Sequence, residues 1–300
     1  MNKYIKSPLN YTGGKTKLLP QILPQFPEKI NTFYDLFCGG ANVGININAN
    51  NVIYNDCNKD LVGLFKVLSC HTSDVLLEEI NKIITEYNLS QSSINGYAAY
   101  SCNSSDGLGK YNKDKFLKLR NNFNELTIKD DKYYLMLYVI IIYAFNNQIR
   151  FNKNHQFNLP VGKRDFNSRI KDNFVAFTEA LHNQKCSFTN ADFREYRDYN
   201  FDKNDFIYCD PPYFNSTATY NEKDGWTEKD ENDLREMLCE LSFKGIKFAL
   251  SNNAACNTTL VDWAERNGFN VHYISANYSN CNYHKKDKGA ADIEVLITNY

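Results

Sequence analysis

The feature that most constrains the fold is a short apolar run closed by an acid and two prolines, Asp205–Asp210 followed by Pro211–Tyr213. Its length and its β-branched and aromatic content are typical of a buried strand. Because proline has no backbone N–H and cannot continue a sheet, the chain must turn away at the carboxyl end of this strand. Open α/β sheets bind ligands at that edge. The segment predicts either a functional acid at such an edge or a purely structural Pro-Pro turn.

Strand and helix signals alternate at both ends of the chain. Further strands are predicted at Thr32–Phe37, Asn51–Asp56 and Ile246–Asn252, and an antiparallel pair at 270–278 and 292–298. Thr227 and Asp230 form a capping-box pattern at the start of a helix, and Gly245 follows its end. A strand–helix–strand unit of this length implies a parallel sheet, so the fold class is α/β.

The middle of the chain, residues 60–170, lacks this alternation and is predicted to be mostly helical. The 13-residue apolar run Tyr133–Phe145 is too short to span a bilayer and predicts a buried core helix. Ser90–Gly109 is rich in Ser, Asn and Gly and is predicted to be a loop. We therefore expect an α/β domain of residues 1–59 and 171–300, interrupted by a second domain of residues 60–170.

The composition narrows the function classes. With 43% hydrophobic and 14% aromatic residues, the chain is not intrinsically disordered. The net charge of −1 gives no overall sign of a nucleic-acid partner. Between Phe145 and Lys171, however, six basic residues stand against one acid, a local charge of +5. This segment is either a solvated basic loop or a nucleic-acid contact.

The cysteines and the first residues indicate the cellular compartment. The nine cysteines include no Cys-x-x-Cys pair, and their number is odd. Reduced thiols without zinc or another metal are therefore expected. The first fifteen residues contain no apolar run of the kind found in secretory signals. The sequence predicts a cytoplasmic protein with no membrane partner.

The turn after the buried strand has the groups that an aromatic amine needs to become a nucleophile. The lone pair of such an amine is delocalised into its ring. The Asp210 carboxylate and the Pro211 carbonyl could accept its N–H groups and stabilise the positive charge that develops during attack. Tyr213 could stack on the base. A base in a duplex would first have to be flipped out.

Two glycine turns accompany this segment. In Phe33–Gly44 (FYDLFCGGANVG) the glycines come after a strand, but Ala41 stands where a dinucleotide fingerprint needs its second glycine. Asp56 closes the next strand and suits either a ribose diol or a turn. Leu9–Lys15 (LNYTGGK) ends like a phosphate loop, but Leu9 stands where that loop needs its first glycine. It is predicted to line a cofactor pocket.

Together these segments resemble the Dam-type, or D12 class, N6-adenine DNA methyltransferases. That family has an aromatic-x-Gly-Gly-Lys motif, a glycine motif after an acid, a long insert that reads DNA, and Asp-Pro-Pro-Tyr, in this order. Here the order is Tyr11–Lys15, Asp35–Gly40, the insert and Asp210–Tyr213. The resemblance implies a class I, Rossmann-like methyltransferase sheet with an inserted helical and β-hairpin DNA-recognition domain.

The resemblance also assigns roles to individual residues. It implies S-adenosylmethionine as cofactor and a catalytic turn made of Asp210, Pro211, Pro212 and Tyr213. The residues expected to bind the cofactor are Tyr11, Thr12, Gly13, Lys15, Asp35, Phe37, Gly39, Gly40, Asp56 and Phe193. Among these, Asp56 would bind the ribose and Phe193 would lie near the adenine pocket.

The insert contains a further match, Gln148–Arg164, which resembles the recognition hairpin of Dam enzymes. The resemblance implies double-stranded DNA as partner and GATC as target. An arginine in the major groove binds guanine O6 and N7 through two hydrogen bonds, and Arg150 is the candidate. The other residues expected to contact DNA are Phe145, Asn147, Asn152, Pro160, Lys163 and Arg164. Phe145 or Asn147 would fill the gap left by the flipped base.

The expected reaction is direct methyl transfer from S-adenosylmethionine to adenine N6, by a monomer in a bacterial cell or a phage- or virus-infected one. No Pro-Cys nucleophile pair is present, which argues against C5-cytosine chemistry. N4-cytosine methylation of DNA and adenine methylation of RNA remain alternatives. A decayed DNA-binding protein would show damaged motifs, and a nucleotide-dependent oxidoreductase would need glycine at position 41.

Overall fold

The structure is a computed structural model that describes residues 4–11, 13–213, 225–257, 259–275 and 293–300. It contains two compact units. A helical unit comprises Met1–Gly14 and Asn58–Gln184, and an α/β unit comprises Lys15–Cys57 and Lys185–Tyr300. The assignment of a function to each unit, with bounds at 60 and 170, stays a prediction.

The described residues form the following elements. The helices are α1 (Leu19–Ile22), α2 (Lys59–Cys70), α3 (Ser73–Glu86), α4 (Ser92–Asn95), α5 (Gly109–Asn124), α6 (Asp131–Tyr143), α7 (Ser168–Asn183), α8 (Glu228–Phe243) and α9 (Leu260–Arg266). The strands are β1 (Thr32–Asp35), β2 (Asn51–Asn55), β3 (Cys186–Thr189), β4 (Phe206–Cys209), β5 (Lys247–Asn253), β6 (Asn270–Ile274) and β7 (Glu294–Thr298).

All seven strands form one sheet in the order β3-β2-β1-β4-β5-β7-β6. β1 to β5 run parallel, whereas β7 is antiparallel to both β5 and β6. The predicted α/β fold is confirmed, and so is the antiparallel pair at the tail over 270–274 and 294–298; positions 276–278 and 292 of that prediction lie outside the described residues. Three strands end slightly earlier than predicted: β1 at Asp35, β2 at Asn55 and β4 at Cys209. Asp56 and Asp210 therefore lie in the turns that leave the sheet.

The sheet is buried because its central strands are apolar on both faces. Every residue of β4 is buried, as parallel strands covered by helices require. On one face, the predicted apolar side of α8 packs into a hydrophobic core through Leu234, Met237, Leu238 and Leu241. Thr227 and Asp230 form the predicted capping box at the start of α8. The βαβ prediction is confirmed over β4, α8 and β5.

The helical unit is built around α6. Ten of its thirteen residues are buried, so the helix is apolar on every side, as the sequence predicted for a core helix. It packs against α2, α3 and α5. A Cβ on Gly63 of α2 would lie 2.2 Å from the Tyr134 ring, so only glycine permits this close approach. No helix among the described residues is long and apolar enough to cross a bilayer.

The loop predicted over Ser90–Gly109 is partly wrong, because Ser92–Asn95 forms α4. The buried carboxylate of Asp165 accepts hydrogen bonds from the Ser92 backbone N–H and hydroxyl, at 2.5 and 2.9 Å. The bond from the Ser92 N–H satisfies one of the backbone N–H groups that have no partner within the short helix. Asp165 is more than seventy residues away in sequence, so no local pattern could reveal this cap.

Candidate active site

Three carboxylates lie at the same edge of the α/β unit. Asp35 ends β1, Asp56 directly follows β2, and Asp210 directly follows β4. β1 lies between β2 and β4 in the sheet, and all three strands are parallel. The carboxyl ends of neighbouring parallel strands meet at one edge, where open α/β sheets bind ligands.

Asp210 is paired with a lysine. Lys15 Nζ lies 2.8 Å from Asp210 Oδ1, and its side chain is only 2% exposed, against 19% for Asp210. Burial raises the pKa of Asp210 to about 6, although the positive charge of Lys15 acts in the opposite direction. The negative charge of Glu294 raises this pKa further. At neutral pH, Asp210 is therefore an ionised acceptor that accepts a proton more readily than an exposed aspartate does.

Lys15 also donates to the hydroxyl of Tyr213, at 2.5 Å. Its ammonium lies 4.9 Å from the centre of the Tyr213 ring. The Tyr213 hydroxyl donates to Glu294, with its oxygen 3.0 and 2.9 Å from the two carboxylate oxygens. The structure thus brings Lys15, predicted to bind cofactor, to the first and last residues of the Asp-Pro-Pro-Tyr turn.

Asp35 is buried beside this group. Its Oδ2 accepts a hydrogen bond from the Gly44 backbone N–H at 3.2 Å, and its Oδ1 has no partner among the described residues. Burial, and then the charge of Asp210, raise the pKa of Asp35 well above its ordinary value. A Cβ on Gly44 would lie 2.4 Å from the Tyr54 ring, so this contact requires glycine. A buried carboxyl oxygen without a protein partner is a ready acceptor for a ligand N–H or cation.

Asp56 holds the glycine turn that follows β1. Its Oδ2 accepts a hydrogen bond from the Gly39 backbone N–H at 2.9 Å. The turn needs positive φ angles at Gly39 (47°) and, less usually, at Ala41 (58°). Gly40 lies between them and is buried. Predicted cofactor residues from two strand ends are thus joined directly.

Three aromatic rings pack together near the same strand end. Phe37 and Phe193 have ring centres 5.5 Å apart, and Trp226 lies 5.6 and 5.5 Å from them. Trp226 donates its indole N–H to Glu231 at 2.8 Å. Phe193 is buried in this cluster. Trp226 was not predicted from the sequence, where a lone tryptophan before a helix cap gives no functional signal.

The remaining predicted cofactor residues lie in the N-terminal segment. Tyr11 and Gly13 belong to the helical unit, and Thr12 lies outside the described residues. The Gly14 backbone N–H donates to the Tyr11 carbonyl at 3.2 Å, and Gly13 has a φ of 80°. This is the glycine turn that the sequence predicted.

The predicted recognition segment lies in the helical unit as a narrow hairpin. Two isolated antiparallel bridges join Phe151 to Phe157 and Ala144 to Val161. Arg150 Nε donates to Asn158 Oδ1 at 2.9 Å across the hairpin. This bond orients the guanidinium, whose terminal nitrogens are the groups that read guanine.

The other residues predicted to contact DNA differ in accessibility. Lys163, Arg164 and Pro160 are exposed, and the side chain of Phe145 is 51% exposed. Asn147 is buried, and its amide donates to the Ile142 carbonyl. The Asn152 side-chain oxygen accepts from the backbone of Asn154 and Gln156, at 2.9 and 3.0 Å, and so builds the hairpin turn.

Helix α5 holds the hairpin through backbone atoms. Asn124 accepts from the Phe157 N–H at 2.8 Å and donates to the Phe157 carbonyl at 3.1 Å. Arg120 donates to the Leu159 carbonyl at 3.0 Å. An open groove of about 390 Å³ lies beside these contacts, and its lining includes Arg120, Asn124, Asn152, Phe157 and Asn158. Sequence reasoning missed Asn124 and Arg120, because neither lies in a recognisable motif.

Comparison with known proteins identifies the family. The profile of the D12 class N6 adenine-specific DNA methyltransferases matches residues 11–280. The chain belongs to that family. It is 39% identical over 310 residues to type II methyltransferase M.FokI of Planomicrobium okeanokoites, and 40% identical over 308 residues to modification methylase StsI of Streptococcus sanguinis. These matches cover 100% and 99% of the chain, but it spans only 43% of the length of either relative.

A DNA adenine methylase of Haemophilus influenzae is also related to this D12 class chain. The two are 28% identical over 205 residues, which are 68% of the chain and 63% of the methylase. The predicted family and the class I methyltransferase fold are thus confirmed. Members of the D12 class use S-adenosylmethionine as methyl donor.

The acidic edge of the α/β unit fits the cofactor of the D12 class. S-adenosylmethionine has a cationic sulfonium, an amino group and a ribose diol, all of which favour carboxylate partners. The buried Asp35 Oδ1 is a free acceptor among the described residues, and Asp56 lies at the neighbouring strand end. No group of three or more His, Cys, Asp or Glu side chains within the described ranges could hold a metal ion.

Proposed function

We propose that this chain transfers a methyl group from S-adenosylmethionine to N6 of a flipped adenine in duplex DNA. The observation that supports it best is the Asp210 carboxylate, ionised at neutral pH and paired with buried Lys15 at the ligand-binding edge of the sheet. The similar relatives M.FokI and StsI are a type II methyltransferase and a modification methylase. We propose the same modification role here, in the cytoplasm and by a monomer.

In this mechanism, Asp210 accepts one N–H of the adenine amino group, and the Pro211 carbonyl accepts the other. Both acceptors localise the nitrogen lone pair and stabilise the positive charge that forms on nitrogen during attack. The bound cofactor supplies an electrophilic methyl group on a sulfonium. Asp210, with a pKa of about 6, then takes the proton that nitrogen must lose. Pro212 fixes the turn, and Tyr213 stacks on the base.

For the cofactor, we assign Asp35 to the positively charged methionine end and Asp56 to the ribose hydroxyls. Gly39 and Gly40 have no side chains, so the backbone can approach the cofactor closely. Phe37 and Phe193 border the adenine ring of the cofactor. By family resemblance, Tyr11, Thr12 and Gly13 are also assigned to cofactor binding. The location of Lys15 against Asp210 favours a role at the reacting amine in addition to cofactor binding.

We propose the helical unit as the DNA-recognition domain. Arg150 reads a guanine, and exposed Lys163 and Arg164 contact phosphates. Half-exposed Phe145 is a better candidate than buried Asn147 to occupy the gap of the flipped base. GATC is the proposed target on the strength of the hairpin's resemblance to Dam enzymes.

The test is methyl transfer from labelled S-adenosylmethionine to duplex oligonucleotides, with mass spectrometry of the product nucleosides. One duplex contains GATC, and others change each of its base pairs in turn. Asp210→Ala is the inactive control, since it removes the acceptor of the amino group.

N6-methyladenine formed on GATC alone and lost in Asp210→Ala would support the whole proposal. Methylation of every adenine-containing duplex would retain the chemistry and reject the target. N4-methylcytosine, or transfer to RNA only, would reject the adenine-DNA proposal. A protein that binds DNA but transfers no methyl group under any condition would be the decayed binding protein.

A further inference from the structure

Glu294 is a buried acid that none of the predicted roles uses. It is only 2% exposed, and both of its carboxylate oxygens accept the Tyr213 hydroxyl. Burial of a carboxylate is unfavourable unless its charge is balanced by donors or cations. Here the Tyr213 hydroxyl supplies the donor, and Lys15 donates in turn to that hydroxyl.

The reversed direction of β7 explains how Glu294 reaches this site. Glu294 is the first residue of β7 and pairs with Asn253, the last residue of β5. Because β7 is antiparallel, its amino end lies at the edge where the parallel strands have their carboxyl ends. A parallel strand in this place would put its first residue at the opposite edge.

A continuous chain of hydrogen bonds joins Glu294 to Asp210. Glu294 accepts from the Tyr213 hydroxyl, the same hydroxyl accepts from Lys15 Nζ, and Lys15 Nζ is 2.8 Å from Asp210 Oδ1. The Tyr213 hydroxyl has one proton, so its donation to Glu294 turns its lone pairs toward Lys15. We name this arrangement the Glu294–Lys15 chain.

We propose that Glu294 is a positioning residue for the amine-activating carboxylate. Through the Tyr213 hydroxyl it fixes Lys15, and Lys15 holds Asp210 by Oδ1 so that Oδ2 faces the substrate amino group. The inference rests on the proposed role of Asp210. The inference assigns a function to Glu294 and to the hydroxyl of Tyr213. For stacking on the base, the Tyr213 ring alone would suffice.

Glu294 and Lys15 act on Asp210 with opposite charge. Among the residues that the structure describes, the other titratable groups near Asp210 are Asp35 on β1 and Tyr208 and Cys209 on β4, all buried. None of these is part of the chain of hydrogen bonds. Removing the negative charge of Glu294 should lower the pKa of Asp210, whereas removing the positive charge of Lys15 should raise it.

The first experiment measures the titration of Asp210 directly, without methyl transfer. The protein is labelled with carbon-13 at aspartate carboxyl carbons, and the Asp210 signal is identified by its absence from Asp210→Asn. Its midpoint should move to lower pH in Glu294→Gln and to higher pH in Lys15→Met. Asp205→Asn is the matched control, because it changes a buried acid at the other end of β4 and should leave the midpoint unchanged.

The second experiment is a double-mutant cycle on the rate of methyl transfer. Glu294→Gln and Tyr213→Phe should each lower kcat about tenfold, the size expected for one lost positioning hydrogen bond near a charge. The double variant should be no slower than either single variant, since both break the same chain. The Kd for S-adenosylmethionine should stay within twofold of the wild-type value.

Independent, multiplying losses in the cycle, or a midpoint that Glu294→Gln leaves unchanged, would overturn the proposal. Lys15→Arg tests the same position with its charge kept, should Lys15→Met not fold, and it should retain the wild-type midpoint. A wild-type protein without methyl transfer would reject the proposed function. The carboxyl titration would still decide whether Glu294 and Lys15 act on Asp210.

Discussion

Replacing Asp210 with asparagine should stabilise the protein while abolishing methyl transfer. Folding raises the pKa of this carboxyl from an ordinary 3.8 to about 6, mainly through burial. One pKa unit corresponds to about 1.4 kcal/mol, so the ionised form is disfavoured in the folded state by about 3 kcal/mol. That value already includes the attraction of Lys15, and asparagine has the shape of the carboxyl without its charge.

The pH range of the effect follows from the direction of the shift. Because the pKa is raised on folding, the stability contributed by Asp210 is fully present below its ordinary pKa of 3.8 and is lost as pH rises through about 6. Above that range, wild type has a buried carboxylate charge whose desolvation outweighs its attraction to Lys15, and the variant lacks that charge. Asp210→Asn should therefore be more stable than wild type by up to about 3 kcal/mol near pH 8, with the difference closing toward about pH 4.

Urea unfolding of both proteins across this range, without cofactor or DNA, measures the difference. Asp205→Asn is the control, since its second carboxylate oxygen, Oδ2, accepts from the Asp202 N–H at 2.9 Å, and the NH2 group of asparagine cannot accept. Loss of that bond should make this variant less stable than wild type. An Asp210→Asn variant no more stable than wild type near pH 8, or one whose advantage is independent of pH, would refute the reasoning.

Three further predictions concern the helical unit. Arg150→Lys loses the proposed bidentate contact to guanine. The ratio of methylation rates between a duplex with the target G and one with that G changed should fall by roughly 5- to 150-fold. Asn158→Ala, which only frees the Arg150 guanidinium, should lower the same ratio by about fivefold. Gly162→Ala should lower stability by about 2–3 kcal/mol, or roughly 4–10 °C in Tm by calorimetry, because the new Cβ would lie 2.4 Å from the Ala144 carbonyl oxygen. Phe145→Ala should leave Tm nearly unchanged, since the residue is 51% exposed. When 2-aminopurine replaces the target base, the rise in its fluorescence on protein binding should be smaller in this variant. An unchanged rise would reject the role of Phe145 in base flipping.

Local patterns in the sequence predicted the parts of the fold that local physics determines. Strand β4 with its Pro-Pro exit, the capped helix α8 and the apolar helix α6 each form for reasons contained within about fifteen residues. Strand β3 was missed, because Cys186–Thr189 is only four residues long, too short for its alternation of apolar and polar residues to stand out in the sequence. Asn152 was expected to contact DNA, and in the structure its side chain builds the hairpin turn; a DNA contact there remains a prediction.

The candidate site was only partly predictable, because its members come from distant segments. The three acids at strand ends could be placed by the topology of a parallel sheet. The contact of Glu294 with Tyr213 depends on the antiparallel direction of β7. The hydrogen bonds of Asn124 to the hairpin depend on how α5 packs. Neither relation leaves a spacing or periodicity in the sequence.

The way α5 holds the hairpin has a consequence for how target preference changes during evolution. Asn124 and Arg120 bind only the main chain of Phe157 and Leu159. Every amino acid except proline offers the same N–H and C=O groups, so these bonds do not depend on which side chains the hairpin has. The hairpin can therefore exchange its exposed side chains one at a time without losing its attachment to α5. Under the proposed function, a lineage built on this scaffold is free to acquire new recognition sequences while its Asp-Pro-Pro-Tyr turn stays unchanged.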